Sequence, residues 1–221
     1  MGDFFETFEE DARITSKVLG ITLTKRGDGA AAKVPLAGFP HHALDTYLPR
    51  LLKAGYRVAV CEQLEDPKFA RGIVKRDVIE VVSPGVAFSD KVLEQKQNNY
   101  LAAIALPSPL ATSDDIVGFS FVDVSTGEYA VGEFALRLLR EQSASLSPSE
   151  ILVQKRDSAS ISELLKGQFS GTYTKTDDWV FNLDFGYELL VTHFQTQSLK
   201  GFGCEEFRIG IVAAGAILNY L

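Results

Sequence analysis

Apolar and polar positions alternate at the start of the chain. GDFFETF (2–8) predicts a short strand or turn; if it is extended, Phe4 and Glu6 share one side and Phe5 takes the other. Apolar residues at helical spacing then predict a helix over Glu9–Leu19, stopped by Gly20. ITLTKR (21–26) reads as a strand and GDGAAAK (27–33) as a loop. Two prolines and a glycine make PLAGFP (35–40) a constrained turn, followed by a helix over 43–54 that Gly55 ends. YRVAVCEQL (56–64) and IVKRDVIEVVSPG (73–85) predict strands, with Cys61 in the core and a Pro-Gly turn closing the second. KVLEQKQNNYLAAIAL (91–106) mixes helical and extended character.

LPSPLATSDD (106–115) has linker chemistry, so the expected domains are 1–106 and 107–221. Beyond it, IVGFSFVDVSTGEYAVGEF (116–134) predicts a hairpin turning at Ser125, Thr126 and Gly127. An amphipathic helix over 135–146 and a buried strand in SPSEILVQK (147–155) follow. Next come a short helix at 161–165, a strand or loop at 172–181 and a helix near 187–194. RIGIVAAGAILNYL (208–221) reads as the start of a long helix. The fold class is α/β in two domains.

The chain has 221 residues, 46% apolar and 23% charged, enough for a substantial core. No apolar run approaches the roughly 20 residues of a membrane span. The acidic opening, MGDFFETFEEDA, lacks the basic and apolar regions of a signal peptide. Cys61 and Cys204 suggest neither a disulfide framework nor a metal site, which fits a reducing, cytoplasmic setting. The net charge of −7 argues against a generic nucleic-acid binder, but it is unevenly spread. Residues 1–106 carry 14 basic and 14 acidic side chains, and 107–221 carry 8 and 15. The neutral first part still suits DNA if its basic residues cluster on one face.

Candidate chemistry is sparse. RGDGAAAK places Ala32 where a phosphate-binding loop needs glycine, and the zinc-protease and serine-hydrolase motifs are absent. His41 and His42 are adjacent on a turn, a poor arrangement for joint metal ligation. Asp123 lies mid-strand with Glu128 nearby, and Asp184 and Glu188 further on. It reads either as a hairpin-stabilising side chain or as one ligand of a nuclease metal site. Phe4 and Phe5 read as core residues, or Phe4 as an exposed wedge with Glu6 as a polar reader beside it.

MGDFFETFEEDA resembles the segment that opens the mismatch-binding domain of the bacterial MutS family of DNA mismatch-repair proteins. The likeness continues in order through LGITLTKR, PLAGFPHHALDTYLPRLLKAGYRVAVCEQLEDP, VKRDVIEVVSPGV and NNYLAAI. From GFSFVDVSTGEY to AAGAILNYL the chain resembles the family's connector domain. Members of the family carry some tens of residues before the opening motif, and often Tyr at the position of Phe5.

The resemblance implies a mixed-sheet mismatch-binding domain followed by an RNase H-like connector without nuclease activity. It assigns Phe4 to stacking on a mispaired base from the minor groove, and Glu6 to a hydrogen bond with that base. Lys25 and Arg26 match a basic dipeptide of the family and read either as phosphate contacts or as a solvated strand end, with Lys75 and Arg76 as weaker candidates; the PLAGFP segment either approaches the duplex or simply shapes the domain. The implied partners are mismatched double-stranded DNA and, through the connector, other repair proteins. The full-length protein is expected to be a cytoplasmic, nucleoid-associated homodimer. This fragment is expected to be no enzyme and to need no cofactor, with ATP and Mg confined to a separate ATPase domain. The alternatives are a protein-interaction module that does not bind DNA, and an RNase H-like nuclease centred on Asp123.

Overall fold

Edge strand β1 (Phe4–Phe8) runs directly into helix α1 (Glu9–Leu19), and the reversal is made at Glu9, whose φ is +54°. The computed structural model describes residues 4–25, 34–65, 74–87 and 98–221. Contacts divide the chain into two units, Met1–Lys96 and Gln97–Leu221.

In the first unit β1, β2 (Thr24–Lys25) and β3 (Pro35–Pro40) form an antiparallel sheet of order β1-β3-β2. PLAGFP is thus a central strand where a turn was expected. Its prolines occupy the first and last positions, where a missing N–H costs the ladder least. The strand expected over 21–26 shortens to Thr24–Lys25, and Arg26 lies outside the described residues. A 3-10 turn at His41–Ala43 leads into α2 (Leu44–Lys53). Leu19 of α1 and Leu51 of α2 pack with Phe5 and Phe39, so both helices cover the same side of this sheet.

Strands β4 (Val58–Gln63) and β5 (Arg76–Val82) form a separate antiparallel ribbon. A register shift falls between Val60 and Cys61. Cys61 is exposed, not in the core as expected: only one side of a two-stranded ribbon is covered, and Val60 takes that side. A Ser83–Val86 hydrogen bond closes the expected Pro-Gly turn.

The second unit is built on a five-stranded sheet of order β10-β9-β6-β7-β8. Its strands are β6 (Tyr100–Ala105), β7 (Ile116–Asp123), β8 (Glu128–Ala135), β9 (Glu150–Gln154) and β10 (Thr172–Thr176). β6, β7 and β8 form an antiparallel meander, while β9 runs parallel to β6, and β10 parallel to β9. The boundary expected at 106/107 is therefore displaced. LAAIA is the fully buried central strand of this sheet, and the Pro-rich stretch after it merely joins two neighbouring strands. Of the stretch 91–106, expected to mix helical and extended character, residues 91–97 lie outside the described residues.

Helices α3 (Leu139–Leu146) and α4 (Ser158–Leu164) cover one face, packing Leu139 and Ile161 on Ala102, Ile104 and Ile151. The other face holds α6 (Ile209–Tyr220), with α5 (Leu183–His193) packed against it. Tyr129 of β8 donates to the Ala214 carbonyl at 2.6 Å, and burial holds its phenol well above the usual range. Glu133 of β8 accepts from the Arg208 and Gly210 amides at 2.6 and 2.8 Å, giving α6 a carboxylate at its positive end. Among the described residues no helix is long and apolar enough to cross a membrane.

Candidate nucleic-acid interface

Alternation along β1 divides its side chains between two surroundings. Phe5 faces the helices. Its ring stacks on His41 with centroids 5.1 Å apart and lies 6.1 Å from Phe39, which in turn meets Tyr47 at 4.9 Å. Thr7, on the same side, donates to the Ala37 carbonyl at 3.1 Å. Phe4, Glu6 and Phe8 point the other way, and Phe4 is 59% exposed. An aromatic ring is expensive to leave in water, since burying one contributes about 1.5–3 kcal/mol. The fold holds this one out by anchoring the inward residues of the same strand, Phe5 and Thr7.

The register extends that outer surface. Phe4 pairs with Pro40, Glu6 with Gly38 and Phe8 with Leu36, so an apolar row flanks a single carboxylate. Gly38 permits the close approach: a Cβ there would lie 2.8 Å from the Phe5 carbonyl oxygen and 3.4 Å from Glu6 Cγ. A base edge approaching Phe4 would meet an aromatic face beside a hydrogen-bond acceptor.

The structure brings Phe4 and Glu6 together and leaves Lys25 apart. Lys25 sits on β2 opposite Pro35, two strands and five positions from Phe4, roughly 20 Å by ordinary strand spacing. That separation suits a phosphate some base pairs away better than the base at Phe4. Lys75 and Arg76 belong to the β4/β5 ribbon, where the Lys75 amide donates to Glu65 Oε1 at 2.7 Å. Sequence reasoning missed the contributions of Gly38, Phe8, Leu36 and His41, all of which depend on the β1/β3 register. No local signal could have supplied that register, since PLAGFP is apolar throughout and its prolines and glycine read as a turn.

Asp123 behaves as a hairpin residue. Its carboxylate accepts from the Ser125 amide at 2.9 Å and the Ser125 hydroxyl at 2.6 Å, and from the Asn99 amide at 3.3 Å. Those bonds lock the turn expected at Ser125, Thr126 and Gly127. Among the described residues no three His, Cys, Asp or Glu side chains are grouped to hold a metal ion.

Family models match nearly the whole chain: MutS domain I over residues 1–91 and MutS domain II over 99–221. The chain belongs to the MutS family. The DNA mismatch repair protein MutS of Cytophaga hutchinsonii is 54% identical over all 221 residues, which are 25% of that protein. Those of Salinibacter ruber and Chlorobaculum tepidum are 49% and 46% identical, again over the whole chain and about a quarter of each relative. The chain thus spans about a quarter of the length of the curated MutS relatives it matches. The two MutS domain matches divide where the structure does: domain I within the first unit, and domain II starting just before β6.

Proposed function

We propose that the outer face of β1 reads mispaired duplex DNA, with Phe4 as the stacking wedge and Glu6 as the base-edge acceptor. The carrying observation is the 59% exposure of Phe4 on a strand whose neighbouring Phe5 is packed into the core. An apolar wedge entering the minor groove must partly unstack a base step, at a cost of a few kcal/mol. A mispair has already lost part of that stacking and pairing energy, so the wedge enters it more easily. Glu6 adds selection, because a carboxylate brought against a base edge without a donor is left desolvated and unpaired. Lys25 and Arg26 serve as phosphate contacts that set register without reading sequence.

For the second unit we read an RNase H-like connector. The meander β6-β7-β8, extended on the other side of β6 by parallel β9 and β10, supports that reading. Its excess of acidic residues suits contacts with other repair proteins rather than with phosphate. ATP use and homodimer assembly are assigned to the longer MutS protein, outside these two domains.

The test is competition binding at low salt between a duplex carrying a mispair and its fully paired counterpart. Phe4→Ala is expected to remove about 1–3 kcal/mol of binding to the mispaired duplex, bringing the two duplexes close to parity. Retention of the full preference in Phe4→Ala would overturn the wedge assignment.

A further inference from the structure

The helical side of the first unit carries a second surface, on the opposite side of the sheet from Phe4 and Glu6. A groove of about 720 Å³ runs between α1 and α2. Arg13 and Lys17 rise from α1, Arg50 and Lys53 from the last turns of α2, and Glu10 is the sole carboxylate among the described lining residues. Ile14, Val18 and Ala54 form the floor, with Tyr56 at one end and 40% exposed.

Arg50 donates to the Val18 carbonyl at 3.4 Å and lies 5.8 Å from the Tyr47 ring centre, and Arg13 lies 3.6 Å from Glu10. The spacings are those of helix faces: Arg13 and Lys17 are one turn apart on α1, and Arg50 and Lys53 one turn apart on α2. The result is two basic rows on either side of an apolar trough. The unit as a whole has equal numbers of acidic and basic residues, so this is a local concentration of positive charge and not the average.

We infer that this groove is a docking site for an acidic amphipathic segment of a partner protein, one with an apolar stripe between carboxylates. Charge complementarity requires an anion. The aliphatic floor then favours a peptide over a nucleic-acid strand. A phosphodiester backbone would use the four cations but leave Ile14, Val18 and Ala54 with nothing to bury against. A helical segment would lay its apolar stripe on the floor, as an amphipathic helix does in a groove, with Asp or Glu on both flanks reaching the two basic rows. The site is independent of the duplex face, since the sheet separates them.

The experiment uses the full chain and a synthetic, fluorescein-labelled peptide of Leu, Ala and Glu with one apolar stripe and about four helical turns. Controls are the same peptide with Lys for Glu, a Glu peptide of equal composition without the stripe, and an oligothymidylate. Binding of the acidic amphipathic peptide is expected at low salt and should fade with added salt. The double reversal Lys17→Glu with Lys53→Glu should weaken it tenfold or more, while Phe4→Ala leaves it unchanged. Amide resonances of Ile14, Val18 and Tyr56 should shift on titration of the wild-type chain, a readout that does not depend on any variant folding. Equal binding of the stripe-free peptide, no effect of the charge reversal, shifts located elsewhere, or tighter binding of the oligothymidylate to these residues would each overturn the inference.

Discussion

Phe4 and Phe5 are chemically identical neighbours with opposite surroundings, and they should answer to different measurements. Phe5→Ala removes a ring that packs on Phe39 and His41, and should cost about 2 kcal/mol in a urea titration, below the full range for a buried Phe because Phe5 is half-buried. Phe4→Ala should change stability by less than about 0.5 kcal/mol, its effect being confined to the proposed DNA binding. Asp157 offers a second contrast. It is fully buried at the end of the 3-10 turn that follows β9, with both carboxylate oxygens lacking a hydrogen-bond partner. Burial raises its pKa above the ordinary 3.8, against the opposing pull of Arg156. A raised folded-state value favours the protonated form, so the group's cost is absent below the ordinary value and appears as pH rises through the folded one. Asp157→Asn should therefore stabilise the chain at pH 7, with the gain vanishing in strong acid; a gain constant with pH would show that ionisation is not the cause.

At the scale of elements, the second unit depends on backbone approaching backbone. A Cβ on Gly215 of α6 would stand 2.4 Å from the Gly186 Cα of α5, and one on Gly118 of β7 would stand 1.9 Å from the Ile209 carbonyl oxygen. Gly215→Ala should part the two helices at a cost of about 1–3 kcal/mol, and Gly118→Ala should cost more, because it drives α6 off the sheet. Thermal unfolding of the two variants, ranked in that order, is the check. The elements themselves were largely legible. α1 and the β7/β8 hairpin fall where periodicity and the Ser-Thr-Gly turn place them. PLAGFP was not legible as a strand, because its Pro and Gly content signals a turn, and only pairing with β1 and β2 on both sides makes the extended form worthwhile. Within the candidate site, alternation put Phe4 and Glu6 on one side of the strand but left Phe4 open between core residue and wedge; their roles came from the resemblance to the MutS family. The supporting positions, Gly38 and His41, come from another segment and depend on a register that no local pattern encodes.

Across the whole molecule, charge sets the terms of the proposed nucleic-acid binding. The first unit is neutral and the second carries the net −7, so duplex affinity should rest on few phosphate contacts. With Lys25 and Arg26 as the contacts, the plot of log K against log salt for this chain should have a slope of about −2. Lys25→Ala should bring it nearer −1. A much steeper slope would mean that other basic residues lie along the duplex. The limit of the domains was misread for a physical reason. Prolines mark a change of direction equally well between domains and between adjacent strands, and LAAIA carries no mark of which sheet will bury it.

The alternation of β1 has a consequence for how this stretch of gene can change. Core and outer surface are spelled in alternate letters of the same five residues, Phe4–Phe8. A substitution alters one letter and one surface. An in-frame insertion or deletion of a single codon inside the stretch exchanges the two, turning Phe5 outward and the exposed positions inward. The segment can therefore vary by point mutation, while its length is fixed more strictly than its spelling.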